Sequence, residues 1–206
     1  MQLFRISHEF RYGGKYAWSS GYRPISEMPY LEEIGEDFRE SMLAFWSVNP
    51  GKPGMNVDRG GSVWGDCISV SLGWPHECYS GRVVRDLQEA GIELLRTTEM
   101  PIAEILAKRL QKKSPPSYHV IEAPRGIDID FPASGYPIGA DGKPETQKRD
   151  PAFKGPLALA AATWDGRHLF CARTGSTMNL HCTEKVKDLA EEKGWTNVKF
   201  TEVPVV

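Results

Sequence analysis

Apolar and polar residues alternate in several short segments of this chain, a pattern typical of β-strands buried on one face. The first such segment is LFRISHEF at 3–10, where Phe4, Ile6, His8 and Phe10 fall on one face. A DG pair at 165–166 separates two of the later segments, which predicts a β-hairpin there. Further strands are predicted at 67–74, 92–97, 117–124, 126–131, 156–164, 168–173 and 197–203.

Four segments instead repeat their apolar residues at helical spacing. Each also carries a start or stop signal, such as Ser80 before one helix, or Thr183 before and Gly194 after another. Long loops rich in Gly and Pro are predicted at about 48–65 and 132–155. The whole pattern predicts one α+β domain over 1–206, with a mixed or mostly antiparallel sheet and three to four flanking helices. The predicted helices cover 27–46, 80–91, 101–113 and 183–194.

Composition narrows the class of protein. The 206 residues are 40% hydrophobic and 25% charged, as in ordinary globular proteins. A formal net charge of −2 argues against a general nucleic-acid binder, and the basic run at 107–113 is explained as the C-terminal end of the third helix. The sequence has no long apolar segment and its first residues lack a signal-peptide core. We therefore expect a cytoplasmic protein without a membrane segment.

Histidine and cysteine residues are the first candidates for chemistry. His181 and Cys182 are adjacent, and His76 and Cys78 lie in PHEC. Structural zinc sites usually draw their ligands from close pairs such as CxxC, and none of the four cysteines forms one. We therefore interpret the cysteines as buried apolar residues and predict no metal, no cofactor and no catalytic nucleophile.

Carboxylates provide two further candidates. Asp128 and Asp130 project from the same face of the predicted strand GIDIDF, where they would face water, a cation or a basic partner. Glu202 falls on the face of the predicted last strand that otherwise carries apolar residues. His8 falls on the corresponding face of the first strand. If these two strands were neighbours, His8 and Glu202 would be candidates for a buried polar pair; otherwise a bulge frees Glu202 and the backbone satisfies His8.

The two ends of the chain resemble a known family. LFRI…YGGKYAWSSGYRP at the start and HLFCARTGSTMNLHCTEKVKDLAEEKGWTNVKFTEVPV at the finish are similar to the double-CXXCG paralogous family of myxobacteria and to related immunity-type proteins of bacterial polymorphic toxin systems. The two CXXCG elements of that family are absent here, so no metal ligand carries over. The resemblance implies a protein that binds and neutralises a cognate toxin without catalysis. The candidate partner-binding residues are Glu32, Glu33, Glu36 and Asp37 on the acidic helix, with Asp128, Asp130 and Tyr136.

Two alternatives remain open at the level of sequence. The first is an enzyme similar to ADP-ribosyltransferases, in which Arg5 and Glu202 would lie in one cleft and hold NAD. The second is an interaction module or homodimer without a toxin partner. A polar cleft containing both residues would favour the enzyme, whereas an exposed charged or aromatic patch would favour a binding protein.

Overall fold

The computed structural model describes residues 1–9, 14–23, 54–69, 77–145, 148, 150, 152–153, 157–173 and 180–206. This part of the chain contains thirteen strands, two α-helices and one 3-10 turn. The predicted α+β class is therefore confirmed, as is the mixed sheet, although strands dominate. Two of the predicted helices are present, and the one at 27–46 lies outside the described residues.

The largest sheet brings the first strand of the chain between two of the last. Its strands are β1 (Leu3–His8), β9 (Arg125–Asp130), β10 (Ala158–Ala160), β11 (Leu169–Arg173), β12 (Leu180–Thr183) and β13 (Val198–Val203). They lie in the order β10-β9-β11-β12-β1-β13, and only the β9–β11 pair is parallel.

The sheet curls until its two edges approach each other. Leu159 in β10 donates its N–H to the carbonyl of Pro204 at 2.9 Å and accepts the N–H of Val206, also at 2.9 Å. These bonds form a short parallel bridge between Leu159 and Val205. The sheet thus has the shape of a half-barrel, and its inner apolar face collects Leu3, Ile127, Leu159, Phe170 and Val203 among others.

Two smaller sheets complete the strand arrangement. One has the order β2-β3-β7 and the other the order β4-β5-β8-β6. Strand β3 lies inside the range predicted as a loop at 48–65, because it pairs with both β2 and β7. The strands are β2 (Ser19–Arg23), β3 (Gly54–Val57), β4 (Cys67–Ser69), β5 (Glu77–Ser80), β6 (Arg96–Met100), β7 (Ile102–Ile105) and β8 (Tyr118–Glu122).

The helices α1 (Gly81–Glu89) and α2 (Glu184–Lys193) confirm two of the predictions. The Ser80 hydroxyl accepts the N–H of Val83 at 3.5 Å and caps α1. Gly194 ends α2 in the left-handed conformation, with φ of 63°, which suits a residue without a Cβ. Thr183 occupies the N-cap position of α2 but makes no capping bond, and its hydroxyl instead contacts His168 Nδ1 at 3.0 Å. None of the helices that the structure describes is long and apolar enough to cross a bilayer.

A shared apolar core joins the helices to two of the sheets. Phe4 and Ile6 of β1 pack in it with Cys67 of β4, Tyr79 of β5, and residues of both helices. A second core lies between the two smaller sheets and contains Met55, Ile68, Met100 and Tyr118. Because side chains alternate along a strand, Leu3 and Phe4 point into different cores.

Three local predictions were wrong. The range 101–113 is not a helix, because residues 102–105 form β7 and pair in parallel with β3, and only turns follow. The segments around the DG pair do not form a hairpin, because β9 lies between β10 and β11. The strand predicted at 92–97 lies instead at Arg96–Met100, where it pairs with β8.

Candidate functional site

An open groove lies between the β1–β13 strand pair and helix α2. Its volume is about 570 Å³. Half-buried Val198 and Phe200 contribute apolar surface, and charged side chains surround them. The lining residues are Ser7, His8, Glu9, Lys187, Glu191, Val198, Lys199 and Phe200.

Strand register explains which side chains reach the groove. His8 lies opposite Val198, and Ile6 lies opposite Phe200, so these side chains share one face of the sheet. Helix α2 crosses the same face, where the Lys187 ammonium lies 5.6 Å from the centre of the Phe4 ring. Lys187 also pairs with Glu191 one turn later, with 2.9 Å between Nζ and Oε1. The exposed Lys199 side chain makes no ion pair with any carboxylate that the structure describes.

His8 links the groove to the four-stranded sheet. Its Nδ1 lies 3.3 Å from Oε1 of Glu77, with the two side chains 21% and 13% exposed. A smaller cavity of about 20 Å³ shares His8 and Glu9 with the groove and is also lined by Tyr16, Trp18, Ser69 and Asn197. Asn197 donates its side-chain amide to the carbonyl of Cys67 at 2.6 Å, whereas its buried Oδ1 has no partner among the residues that are described. The bond to Cys67 thus sets the orientation of the Asn197 amide.

A denser polar cluster surrounds Asp66. Its carboxylate accepts the Ser80 hydroxyl at 2.7 Å, the Thr196 N–H at 2.8 Å and the Thr196 hydroxyl at 2.8 Å. It also accepts two bonds from the Arg82 guanidinium. Burial alone would raise the pKa of Asp66, but the hydrogen bonds from Arg82, Ser80 and Thr196 outweigh it and lower that pKa.

Arg82 extends this cluster to the end of helix α2. Its guanidinium donates to the carbonyls of Lys193 at 2.9 Å and of Gly194 at 3.2 Å. These carbonyls carry the negative end of the helix dipole, which a cation stabilises. The hydrogen bond to Asp66 raises the pKa of Arg82. The Asp66 cluster therefore holds α1, the residues before β4 and the α2–β13 connection in one arrangement.

The histidine and cysteine candidates lie apart from one another. Cys182 faces the core beneath the helices, whereas the neighbouring His181 stacks on Phe170, with 6.1 Å between the ring centres. Cys78 lies in the second core, and His76 lies outside the described residues. Burial raises the pKa of the Cys78 and Cys182 thiols, which disfavours their reactive thiolate form. Within the described ranges, no three His, Cys, Asp or Glu side chains come close enough to hold a metal.

Asp128 and Asp130 are half-buried and alternate with the buried Ile127 and Ile129, so their predicted common face agrees with the structure. Asp130 caps the turn that follows, because its Oδ1 accepts the N–H of Ala133 at 2.8 Å. The N–H of Asp128 donates to the Thr163 hydroxyl at 2.8 Å.

The candidate Tyr136 is not among the residues that line the groove. Tyr136 packs edge-on against Phe131, with 5.9 Å between the ring centres. The candidates Glu32, Glu33, Glu36 and Asp37 lie outside the described residues. A role of these residues in partner binding stays a prediction.

His8 and Glu202 do not meet. Their strands are indeed neighbours, but Glu202 lies opposite Phe4 and is exposed, whereas His8 lies opposite Val198. The two positions are four residues apart along the pair, or about 13 Å at ordinary strand spacing. Arg5 is adjacent to Phe4, so its side chain leaves the opposite face of the sheet from that of Glu202. Arg5 and Glu202 are therefore not brought into one cleft.

The sequence reasoning missed Asp66 and Glu77. Thr196 follows Asp66 by 130 residues, and Glu77 follows His8 by 69, so no local spacing indicated either contact. Only the alternation that places His8 on the apolar face of its strand pointed to this region.

The chain matches no protein-family model, and no curated protein matches it.

Proposed function

We propose that this protein binds a cognate bacterial toxin and neutralises it by covering part of its surface, with the groove beside α2 as a contact region. One observation supports this best. The eight residues that line the groove come from the two ends of the chain that carry the resemblance to the immunity-type proteins: five lie within the quoted C-terminal segment 168–205, and Ser7, His8 and Glu9 lie between LFRI and YGGKYAWSSGYRP at the start. Segments that are far apart in sequence thus form one surface.

The groove has the chemistry of a protein-binding surface. The half-buried Phe200 and Val198 offer apolar contact, while Lys187, Glu9 and Glu191 surround them with charges of both signs. Protein interfaces commonly combine an apolar centre with a polar rim, and aromatic residues carry much of the binding energy. Among the strands that are described, β13 ends the sheet order, and the bonds to Leu159 of β10 involve only Pro204 and Val206, so an extended segment of a partner would be able to pair with the strand edge beside the groove.

The test is co-expression with the product of the adjacent reading frame. We expect that product to be toxic alone and harmless when this protein is present, and the two proteins to form a complex. Lys187→Glu combined with Phe200→Ala should weaken that complex at least about tenfold, because it removes one charge contact and the apolar anchor. Affinity is measured by titration calorimetry and protection by growth.

The matched control is Lys185→Glu, which changes an exposed lysine of α2 that does not line the groove. It should leave affinity and protection unchanged. A harmless neighbouring product, or continued toxicity in the presence of the wild-type protein, would overturn the proposal. A homodimer that dissociates on Lys187→Glu would assign the groove to a second copy of the chain instead, which also contradicts it.

A further inference from the structure

The basic run at 107–113 needs a different explanation from the helix end that the sequence predicted. Residues 105–121 include Lys108, Arg109, Lys112 and Lys113 but no Asp or Glu. Lysine and arginine at a helix C-terminus are explained by the dipole, but here the chain turns after β7 and forms no α-helix. The cations are exposed, while the buried Ala107 and Leu110 anchor the turns from below.

Distant parts of the chain add aromatic and basic groups to this run. Lys113 Nζ donates to the carbonyl of Ser62 at 2.6 Å, and the Trp64 indole N–H donates to the carbonyl of Lys113 at 3.4 Å. The N–H of Ser62 in turn donates to the carbonyl of Lys15 at 2.8 Å. The Lys15 ammonium lies 4.8 Å from the centre of the Tyr16 ring. We call the resulting area the basic surface; it comprises Lys15, Tyr16, Trp64, Lys108, Arg109, Lys112 and Lys113.

The charge of the basic surface determines which kind of partner it can bind. Its five Lys and Arg side chains make no ion pair with any carboxylate that the structure describes, and all five are exposed. The whole chain nevertheless has a net charge of −2, so positive charge is concentrated here against the overall balance. Such a concentration attracts an acidic partner and accelerates its association.

The aromatic rings favour a protein over a nucleic acid as that partner. Single-stranded nucleic acids bind by stacking bases on free aromatic faces. The Tyr16 ring has the Lys15 ammonium above it, and Trp64 packs against Tyr118 with 6.4 Å between the ring centres. Partly covered rings of this kind serve better as amphipathic contacts at a protein interface, where Trp, Tyr and Arg are enriched.

We propose that the basic surface binds an acidic segment of the partner protein, an inference that rests on the proposed toxin-neutralising function. The groove and the basic surface would then be two contact areas, one of mixed charge and one positive. The positive area would steer the encounter, so its contribution should fall as salt increases.

The direct test uses a fluorescein-labelled peptide of eight glutamates as the probe, with fluorescence anisotropy as the readout. Lys108→Glu combined with Lys112→Glu should weaken peptide binding at least about tenfold at low salt, because two positive charges become negative and the net charge of the surface falls by about four units. The matched control is Lys143→Glu combined with Lys185→Glu, which makes the same charge change at exposed lysines elsewhere. Equal weakening in both variants would overturn the proposal, as would tighter binding of a ten-residue oligothymidine than of the peptide.

Co-expression separates this proposal from the one on which it rests. The Lys108→Glu/Lys112→Glu variant should protect less well than the wild type and the control variant. Full protection by that variant contradicts the role of the basic surface and leaves toxin neutralisation standing. Failure of the wild type to protect contradicts toxin neutralisation itself, whatever the peptide result. Circular dichroism of each variant checks that the fold is kept.

Discussion

Asp66 and Glu77 lie at opposite ends of the short β4–β5 strand pair, and they are used very differently. Their side chains are almost equally exposed, 11% for Asp66 and 13% for Glu77. Asp66 nevertheless accepts bonds from Ser80, Arg82 and Thr196, whereas the Glu77 side chain, within the part of the chain that the structure describes, makes a polar contact with His8 alone, at 3.3 Å. Burial therefore does not separate a structural carboxylate from one beside an open groove. The number of hydrogen-bond donors around the carboxylate distinguishes the two, because donors that already bond to Asp66 cannot also bond to a ligand.

The largest effect should come from Asp66→Asn. This change removes the charge and replaces one carboxylate oxygen with an NH2 group, so either Ser80, which bonds to Oδ1, or Thr196, which bonds to Oδ2, loses its acceptor. Arg82 is 41% exposed, so solvent reduces its share of the loss. We expect the free energy of unfolding to fall by about 2–3 kcal/mol, measured by urea denaturation. The control is Asp188→Asn, at an exposed site on α2. An equal loss of unfolding free energy in both variants would contradict the structural role of Asp66.

The pH dependence of stability should follow from the same cluster. The pKa of Asp66 is lower in the folded protein than the ordinary value of 3.8, so folding favours the ionised form. Its contribution is complete above the pKa of the unfolded chain and is lost as pH falls toward the lower folded value. We expect the wild type to lose more unfolding free energy than Asp66→Asn between pH 5 and pH 2, roughly the acid range in which a paired carboxylate titrates. If the two proteins lost the same unfolding free energy over this pH range, the role given to Asp66 would be contradicted.

The smallest effect on stability should come from Glu77→Gln. Glutamine keeps an oxygen for His8, and both partners are partly exposed, so the change should cost about 0.5 kcal/mol or less. The same urea titration measures it beside Asp66→Asn. A loss as large as that of Asp66→Asn would show that Glu77 is as structurally committed as Asp66, and the distinction drawn from donor number would fail.

The sequence predicted elements where local signals and tertiary contacts agree. Helix α1 begins after Ser80 and buries Val83, Val84 and Leu87, while α2 ends at Gly194, as their caps and apolar spacing indicated. Alternation also placed β1, β9 and β13 within a few residues. In these segments one local pattern fits one set of neighbours, so propensity and packing point to the same structure.

The failures arise where a distant strand determines the local structure. Ile102 and Ile105 have a spacing that fits a helix, but the exposed N–H and carbonyl groups of β3 pair with this segment, and that pairing overrides helical propensity. The turn at 165–166 exists, with φ of 90° at Gly166, yet a turn signal does not specify which strands pair. The groove and the Asp66 cluster were beyond prediction for the same reason, since their members lie far apart in sequence.

The position of β1 has a consequence for how the chain folds in time. Residues 3–5 pair with residues 181–183 on one side, and residues 3–8 pair with residues 198–203 on the other. Strands β12 and β13 begin 172 and 190 residues after His8, so β1 is synthesised long before the strands with which it pairs. Sheets closed by such distant pairings fold slowly, because loop-closure entropy is lost before the pairing compensates for it. Unpaired edges are also templates for association with other chains. In this protein, the edges of β1 are available for such association until β12 and β13 have been synthesised.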